Sequence, residues 1–340
     1  MFGYNVSEYD KKVYEQEIKD FLPDTIVDSH THVYRLVDCK RNSISNPNYW
    51  PDRVATECQI EDLQQTYSDL FPDKKVVPVI FGWPSGYLDK QNAYVEKVSK
   101  KVGCPSLFLT HYDMTEEFLE EQVLKGGFQG LKPYCDNTRQ GVVGRDAEVY
   151  DFLPEKHLKV ANKYGWKVVL HISKEARLKD ANNVKTLMEI EQKYPNVKLI
   201  VAHIGRAYCP EDFGNAFDTL KHSKNMVFDF CANTLPLATE KCIEAVGTKR
   251  VLFGTDLPIA KMKMYRVTEN GTYVNVVPRG LYGDVASDKH MRETDEKEVT
   301  NFTYEIIRGF KKTAEKLGLT KEDVADITCN NACKLYGIKF

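Results

Sequence analysis

Eight short runs of apolar and β-branched residues recur along the chain, and each is followed by a segment long enough to form a helix. Several runs show little alternation of apolar and polar residues, as expected of strands that are buried on both faces. A strand and a helix repeated eight times are typical of a parallel barrel, so the sequence predicts the α/β class and a (β/α)8 TIM barrel. The predicted strands are 25–30, 75–82, 106–112, 127–134, 166–172, 197–204, 225–230 and 250–256.

Amphipathic segments occupy the intervals between these runs. The segment 298–319 repeats apolar residues at near-helical spacing and is the natural eighth helix, and a last helix over 321–336 closes the chain. No internal repeat, low-complexity tract or linker divides the sequence, so we expect one domain over 1–340. The remaining predicted helices lie near 57–69, 87–102, 115–125, 149–164, 181–193, 211–222 and 236–246.

Two connections are too long to be simple turns, residues 33–56 after strand 1 and 257–298 after strand 8. In an α/β barrel, long loops that follow strands lie on the face where chemistry occurs. Within the second, two strand-like runs flank Asn270-Gly271, a dipeptide favoured in tight hairpin turns. We therefore expect a β-hairpin inserted after strand 8, close to the entrance of the site.

The charge pattern excludes several kinds of partner. The 47 basic and 49 acidic residues give a net charge of −2, without a Lys/Arg cluster of the kind that binds nucleic acid or an anionic membrane. No apolar run is long enough to span a bilayer, and the first residues are polar, so we expect a cytoplasmic protein. Nine cysteines without a paired spacing indicate reduced thiols. A small-molecule substrate fits best, and a homo-oligomer is left open.

The first strand ends in Asp-Ser-His-Thr-His, with His30 and His32 two residues apart. Strand side chains two apart point the same way, so both imidazoles can reach one ion. His171, His203 and Asp256 lie at or just past the ends of strands 5, 6 and 8, and in a barrel these ends converge on one mouth. The set predicts a site for one divalent ion, with Zn²⁺ favoured and Fe²⁺, Mn²⁺ or Co²⁺ as alternatives.

These residues carry a resemblance to the amidohydrolase superfamily, specifically its amidohydrolase-related group of metal-dependent hydrolases and decarboxylases. The similarity spans nearly the whole chain and rests on an ordered set of motifs. They are FLPDTIVDSHTHV in strand 1, GFQGLKPY in strand 4, VVLHIS in strand 5, LIVAHIGR in strand 6, VLFGTDLP in strand 8 and the terminal ITCNNACKLYGI.

The resemblance implies that His30, His32, His171 and Asp256 are metal ligands, and that His203 stands beside the bound water as a proton shuttle or substrate contact. Asp256 is implied to be catalytic as well as a ligand. A metal lowers the pKa of its water towards about 7, and a nearby carboxylate or imidazole can take up the proton and return it to the leaving group.

Lys132, at the end of strand 4, decides the metal count. Some amidohydrolases carry a carboxylated lysine there that bridges two metals, but the Gly-x-Lys pattern resembles the one-metal members, in which the ammonium attracts a substrate carboxylate. The metal-dependent deoxyribonucleases share the His-x-His opening, but they place a glutamate ligand on strand 4 and resemble this chain less. We expect one metal and a substrate-binding role for Lys132.

Further candidates for substrate binding follow strands 1, 2, 4 and 6. Arg35 and Arg206 each lie three residues after a site histidine and could hold a carboxylate bidentately. Trp83 and Tyr134 could line an aromatic wall, although packing is the alternative for both. The role of His111, at the end of strand 3, is undecided. Three histidines lie away from the ends of the predicted strands, and we interpret them as structural. They are His157, His222 and His290.

Three functions follow from this interpretation. The favoured one is hydrolysis, in which a metal-activated water attacks the carbonyl group of a small, carboxylated ester, lactone or amide. The second is non-oxidative decarboxylation of a carboxylated aromatic or enol-type acid at the same site. The third, which we favour least, is a metal-binding barrel without catalytic activity. The substrate is decided by loops whose conformation cannot be derived from sequence.

Overall fold

The computed structural model describes residues 6–39, 50–142 and 144–340, and it contains all eight predicted strands in order. They confirm the α/β class and the barrel prediction. The strands are β1 Thr25–His32, β2 Lys75–Phe81, β3 Phe108–Leu109, β4 Gly130–Lys132, β5 Lys167–Leu170, β6 Lys198–Val201, β7 Val227–Asp229 and β8 Val251–Leu252.

Parallel pairing runs through the eight strands in sequence order. β1 pairs with β2, and β3 to β8 form one six-stranded parallel sheet. Isolated parallel bridges connect the two sheets on both sides, Ile80 with Ser106 and Thr31 with Leu257. Backbone bonds support the second connection, since His32 N–H donates to the Leu257 carbonyl and Asp256 N–H donates to the His30 carbonyl. The carboxyl ends of β1 and β8 are therefore adjacent.

The prediction places the carboxyl ends of strands 6 and 8 too late. In the structure, β6 ends at Val201 instead of at 204, and β8 ends at Leu252 instead of at 256. The apolar Ile204 and Phe253 make both runs look longer in sequence. The backbone, however, leaves the extended region: His203–Arg206 form a left-handed turn with φ between 51° and 62°, and Asp256 has φ of 70°. His203 and Asp256 thus lie on sharp turns beyond their strands.

The helices between the strands begin and end close to the predicted residues, with three corrections. Helix 149–164 begins only at Glu155, because Pro154 restricts the residue before it. Helix 211–222 is reduced to Ala216–Leu220 after Gly214, whose φ is positive, and helix 321–336 is interrupted by a π-helical turn over Asp326–Asn330. The helices are α1 Glu8–Val13, α2 Trp50–Val54, α3 Ile60–Leu70, α4 Leu88–Val102, α5 Glu116–Gly126, α6 Glu155–Tyr164, α7 Ala181–Lys193, α8 Ala216–Leu220, α9 Pro236–Val246, α10 Phe302–Leu317, α11 Lys321–Ala325 and α12 Asn331–Tyr336.

Two apolar layers hold the architecture together. α10 shows how the outer layer forms: Asn301 caps its first turn, Gly318 ends it with φ of 63°, and one face, including Ile306 and Phe310, is buried against the sheet layer. The second layer contains strand residues such as Val169 and Ile200, which belong to the same apolar cluster as Ala332 and Tyr336 of α12. Among the described helices, none combines the length and apolar character needed to cross a membrane.

The predicted hairpin is confirmed. β9, Tyr265–Glu269, and β10, Thr272–Pro278, pair antiparallel around Asn270 and Gly271, which both have positive φ as a two-residue turn of this kind requires. A third strand not predicted from sequence, β11, Met291–Thr294, runs parallel to β10. The long connection after β1 falls partly outside the described residues.

Candidate metal centre

His30 and His32 present one ring nitrogen each to a common point. Both side chains are buried on β1. His30 Nδ1 lies 3.0 Å from Asp229 Oδ2, and His32 Nδ1 lies 2.8 Å from the Gly82 carbonyl oxygen. Since both partners are acceptors, each Nδ1 carries the proton and donates it, which leaves the Nε2 lone pair free. A second hydrogen bond of this kind is what fixes the tautomer and orientation of histidine ligands in metal sites.

Asp256 completes a ligand geometry with these two nitrogens. Its Oδ1 lies 3.4 Å from His32 Nε2 and 3.6 Å from His30 Nε2. Nitrogen and oxygen ligands at about 2.0–2.2 Å from a tetrahedral ion are about 3.3–3.6 Å apart, so these two distances match two edges of such a site. All three atoms lie within 4.8 Å of one another. His30 Nε2 is buried and accepts no hydrogen bond from any described residue. The donor set therefore fits a divalent ion.

His171 and His203 extend the cluster on the far side. The His203 ring lies 5.0 Å from that of His30 and 5.1 Å from that of His171, measured between centroids. His203 Nδ1 lies 3.0 Å from the Cys231 carbonyl, which leaves Nε2 unprotonated, whereas His171 Nδ1 is buried without a partner among the described residues. The structure thus brings together all five residues predicted for the metal and its chemistry.

Asp229, the last residue of β7, and Cys231, just after it, belong to the same cluster but were not among the predicted site residues. Asp229 accepts from His30 Nδ1 and, at 2.8 Å, from the His203 backbone N–H and the Cys231 thiol. His30, His203 and Cys231 also place one potential ligand atom each within 4.8 Å of one another. The signal was available, since Asp229 ends a predicted strand just as the recognised residues do.

Asp28 supports the turn that carries Asp256. Its carboxylate accepts from the backbone and hydroxyl of Thr255, at 2.8 and 2.5 Å, and from the Tyr67 hydroxyl at 2.9 Å. Burial raises the pKa of Asp28 to about 7, although the bonds from Thr255 and Tyr67 act in the opposite direction. Gly254 allows the close approach of β8, because a Cβ there would lie 2.9 Å from His30 Cβ.

Burial favours the neutral form of His30, His171 and His203, the state that metal binding requires. It lowers the pKa of His30 to about 4 and also lowers the pKa values of His171 and His203. Burial alone would raise the pKa of Asp229 and Asp256, but the neighbouring histidines lower both below the ordinary range of a carboxyl group. Three neutral imidazoles, those of His30, His171 and His203, therefore lie beside two ionised carboxylates.

Lys132, at the end of β4, is completely buried, and its ammonium makes no hydrogen bond with any described residue. Its Nζ lies 5.1 Å from the centre of the Phe81 ring and 5.7 Å from that of Tyr134. Burial lowers its pKa. Asp229 and Asp256 act on its charge without accepting a hydrogen bond from it. A buried ammonium with free donors is consistent with the predicted substrate-binding role, which stays a prediction, as does the one-metal count.

The other predicted substrate contacts divide into two groups. The rings of Trp83 and Tyr134 lie 5.4 Å from His32 and 4.9 Å from His171, between centroids, and Arg206 shares the left-handed turn of His203. Arg35, by contrast, donates to both carboxylate oxygens of Asp38, at 2.6 and 3.0 Å. The structure therefore does not place Arg35 in contact with the histidine cluster, and its predicted role is untested.

The backbone around the cluster is strained. Of the eight described non-glycine residues with positive φ, seven lie in the segments directly after β5 to β8, and the eighth is in the hairpin turn. Such conformations cost about 1–3 kcal/mol each and concentrate at functional sites. The seven are Lys174, Arg177, His203, Ile204, Arg206, Ala232 and Asp256.

The remaining histidines lie apart from the cluster. His157 Nε2 donates to the Met114 carbonyl at 2.9 Å, and His290 stacks on Tyr273 with centroids 4.2 Å apart. His111 Nδ1 lies 3.4 Å from Asp113 Oδ2 at the surface.

Comparison with known proteins identifies relatives of this architecture. Residues 107–338 match a family model described as amidohydrolase. No curated protein matches the sequence. Two structural neighbours are a 2,6-dihydroxybenzoate decarboxylase from Rhizobium (TM-score 0.58, 14% identity, 93% of this chain and 99% of that one) and a probable 2-pyrone-4,6-dicarboxylic acid hydrolase from Acinetobacter baumannii (0.57, 14%, 92% and 99%).

A third neighbour is a 5-carboxyvanillate decarboxylase from Sphingomonas paucimobilis (TM-score 0.59, 10% identity, 93% of this chain and all of that one). At 10–14% identity these likenesses show a shared fold, and they include both decarboxylases and a hydrolase.

Proposed function

The chain belongs to the amidohydrolase family, a family of metal-dependent enzymes, and on this premise we propose that it hydrolyses a small, carboxylated ester, lactone or amide. The observation that carries the proposal is the convergence of His30 Nε2, His32 Nε2 and Asp256 Oδ1 at 3.4 and 3.6 Å. Hydrolase and decarboxylase are both compatible with the family. The intact His-x-His pair slightly favours hydrolysis, because the group's decarboxylases often carry a glutamate at the first position, although some of them share both histidines.

His30, His32 and Asp256 hold the ion in this proposal, with His171 as a fourth donor. Three imidazoles and one carboxylate favour Zn²⁺, and Mn²⁺, Fe²⁺ and Co²⁺ accept the same ligands. When bound, the ion lowers the pKa of a coordinated water and polarises a carbonyl group.

His203 and Asp256 move the proton. The bond from His203 Nδ1 to the Cys231 carbonyl keeps the proton on Nδ1, so Nε2 is the basic atom. The His203 backbone N–H is held by Asp229, which orients the imidazole. His203 Nε2 or the Asp256 carboxylate takes a proton from the attacking water and returns it to the leaving group. This is general acid–base catalysis.

Substrate binding falls to the side chains around the cluster. The Lys132 ammonium and the Arg206 guanidinium attract a substrate carboxylate, and the Trp83 and Tyr134 rings form apolar walls beside His32 and His171. An ionised carboxylate is bound well in such a place, because a charge-assisted hydrogen bond is about twice as strong as a neutral one.

Metal content is the first test. We expect the purified full-length protein to contain about one equivalent of divalent metal by elemental analysis, and His32→Ala to lose it. His290→Ala is the matched control, because that histidine lies beside the hairpin and should leave the metal content unchanged. Wild-type protein that binds no metal after reconstitution contradicts the proposal.

The reaction is tested in water labelled with oxygen-18, with a panel of lactones, esters, amides and carboxylated aromatic acids. Hydrolysis places one labelled oxygen in the product carboxylate and releases no carbon dioxide. Release of carbon dioxide without label incorporation overturns hydrolysis in favour of decarboxylation at the same residues.

A further inference from the structure

Arg266, on strand β9 of the hairpin, is a part-buried cation whose partners are all neutral. Its Nε donates to Asn275 Oδ1 at 2.8 Å, and its Nη1 donates to the Ala232 carbonyl at 2.8 Å. Within the described part of the chain, Nη2 has no hydrogen-bond acceptor. Three aromatic rings surround the guanidinium carbon, with centroids 4.7, 4.8 and 5.1 Å away, those of Tyr208, Tyr273 and Phe302.

Asp212, a carboxylate whose charge acts on Arg266, already has partners for both of its oxygens. Asp212 binds Arg177 through Oδ1, and its Oδ2 accepts from the backbone N–H groups of Tyr208 and Cys209, each at 3.0 Å. Asp212 therefore forms no hydrogen bond with Arg266, on which it acts only through its charge. Charged groups removed from water are normally paired, because an uncompensated buried charge is costly. The guanidinium consequently lacks the anion that its surroundings would favour.

Arg266 lies one aromatic ring away from the metal cluster. The Tyr208 ring, on which Arg266 stacks, lies 6.2 Å from the His203 ring between centroids. The carbonyl that Arg266 binds belongs to Ala232, next to Cys231, and Cys231 in turn contacts His203. The hairpin therefore brings a cation to the wall of the site along a path that sequence spacing does not reveal.

A second arginine near the same tyrosine also lacks a carboxylate. Arg206 donates through Nη1 to the Lys174 carbonyl at 3.0 Å, its partners in the described part of the chain are backbone carbonyls, and its charge acts on both Tyr208 and His171. With Lys132 in the barrel, three cations around the cluster have no acidic hydrogen-bond partner among the described residues. The carboxylates of Asp229 and Asp256 act on the charge of Lys132, whereas Arg206 and Arg266 form hydrogen bonds only with neutral groups of the described residues.

From this charge imbalance we infer that Arg266 is a specificity-determining residue that binds a second carboxylate of the substrate, remote from the reacting carbonyl group. The substrate class is therefore a dicarboxylic acid derivative, with one carboxylate near Arg206 and Lys132 and the other on Arg266. The inference rests on the proposed function for the location of the reacting group. The aromatic rings fix the guanidinium plane, so that Nη2 can bond an incoming carboxylate oxygen.

The test compares two probes that differ by one carboxylate, benzoate and benzene-1,3-dicarboxylate, in calorimetric titrations of the full-length protein. We expect the wild-type protein to bind the dicarboxylate at least about tenfold more tightly than benzoate. Arg266→Gln should remove most of that preference and leave benzoate affinity unchanged, and Arg266→Lys should retain part of it. A residue that only anchored the hairpin would change both affinities together.

Matched controls keep the inference falsifiable. Arg292→Gln removes another arginine of the same three-stranded insertion, one that pairs with Glu269, and should keep the wild-type preference. Arg266→Met keeps an apolar stem among the rings and replaces Arg266→Gln if the latter melts early. A wild-type protein without preference for the dicarboxylate, or a folded Arg266→Met or Arg266→Gln variant that keeps it, overturns the inference.

Repeating the titrations after metal removal separates this inference from the proposed function. If the protein holds no metal but its preference for the dicarboxylate still depends on Arg266, the anion site stands and the metal-dependent reaction fails. If metal and hydrolysis are present but the preference is independent of Arg266, the proposed function stands and the second-carboxylate site fails.

Discussion

Buried histidines occur in two regions of this protein, the mouth of the barrel and the outer layer of helices. His30 in the mouth and His157 on α6 are equally inaccessible, and burial lowers the pKa of each to about 4. They differ in what surrounds them: His157 faces one backbone carbonyl, whereas His30 faces two carboxylates and two other imidazoles. Burial and a lowered pKa therefore do not identify a site. Convergence of unpartnered nitrogens with carboxylates does.

The largest effect is expected from Asp256→Asn, which removes the charge that His30 and His32 converge on. The variant loses a ligand and a proton acceptor together, so we expect kcat/KM to fall by about 10³-fold or more. Steady-state kinetics and metal analysis check this. Asp218→Asn on the exposed surface of α8 is the control. If kcat/KM of Asp256→Asn stayed within tenfold of the wild-type value, the residues in the mouth of the barrel would have no larger catalytic role than those of the outer helices.

Asp229→Asn tests the residue behind His30. The variant keeps the shape but weakens the acceptor of the His30 Nδ1 proton, and outer partners of histidine ligands typically contribute about 10–100-fold to metal affinity. Competition with a chelator measures this affinity. Since Asp229 also fixes the His203 backbone, kcat should fall further than metal occupancy alone explains. Unchanged affinity and kcat would show that Asp229 serves packing only.

Gly254→Ala separates crowding in the mouth from crowding elsewhere. The added Cβ would lie 2.9 Å from His30 Cβ and 3.1 Å from Cys231 Cβ, and overpacking of this kind costs about 1–3 kcal/mol. Gly309→Ala on α10 is the matched control, because its Cβ would lie 2.7 Å from the Thr234 carbonyl oxygen. Both should lower the free energy of unfolding in urea, but only Gly254→Ala should also lower metal affinity. Equal metal affinities would contradict this.

Much of the fold and part of the site could be predicted from sequence, for identifiable reasons. Strand periodicity and turn dipeptides are local signals, so the eight strands, the Asn270-Gly271 hairpin and residues at strand ends were accessible. Asp229 was missed although its position at the end of a predicted strand was a signal, because it is part of no multi-residue motif such as His-x-His. Arg266 was missed because its contact with the Ala232 carbonyl, 34 residues away in sequence, depends on tertiary packing. Arg35 pairs with Asp38, a local partner three residues later that the spacing from His32 did not take into account.

The smallest effect on the metal centre is expected from His157→Gln, which should leave kcat/KM at pH 7 unchanged and alter only acid stability. Folded His157 stays neutral down to about pH 4, because burial lowers its pKa and outweighs the opposite effect of its hydrogen bond to Met114, whereas the unfolded chain protonates below about 6.5. As pH falls between these values the unfolded state binds the additional proton, so the free energy of unfolding decreases.

The glutamine side chain of this variant can still donate to the Met114 carbonyl but does not titrate in this range. Urea unfolding at pH 7 and pH 5 should therefore show wild type losing about 2 kcal/mol more than His157→Gln on acidification. Parallel losses would mean that His157 binds its proton equally in both states. Reduced activity of His157→Gln at pH 7 would mean that the helical layer, and not only the mouth, takes part in the chemistry.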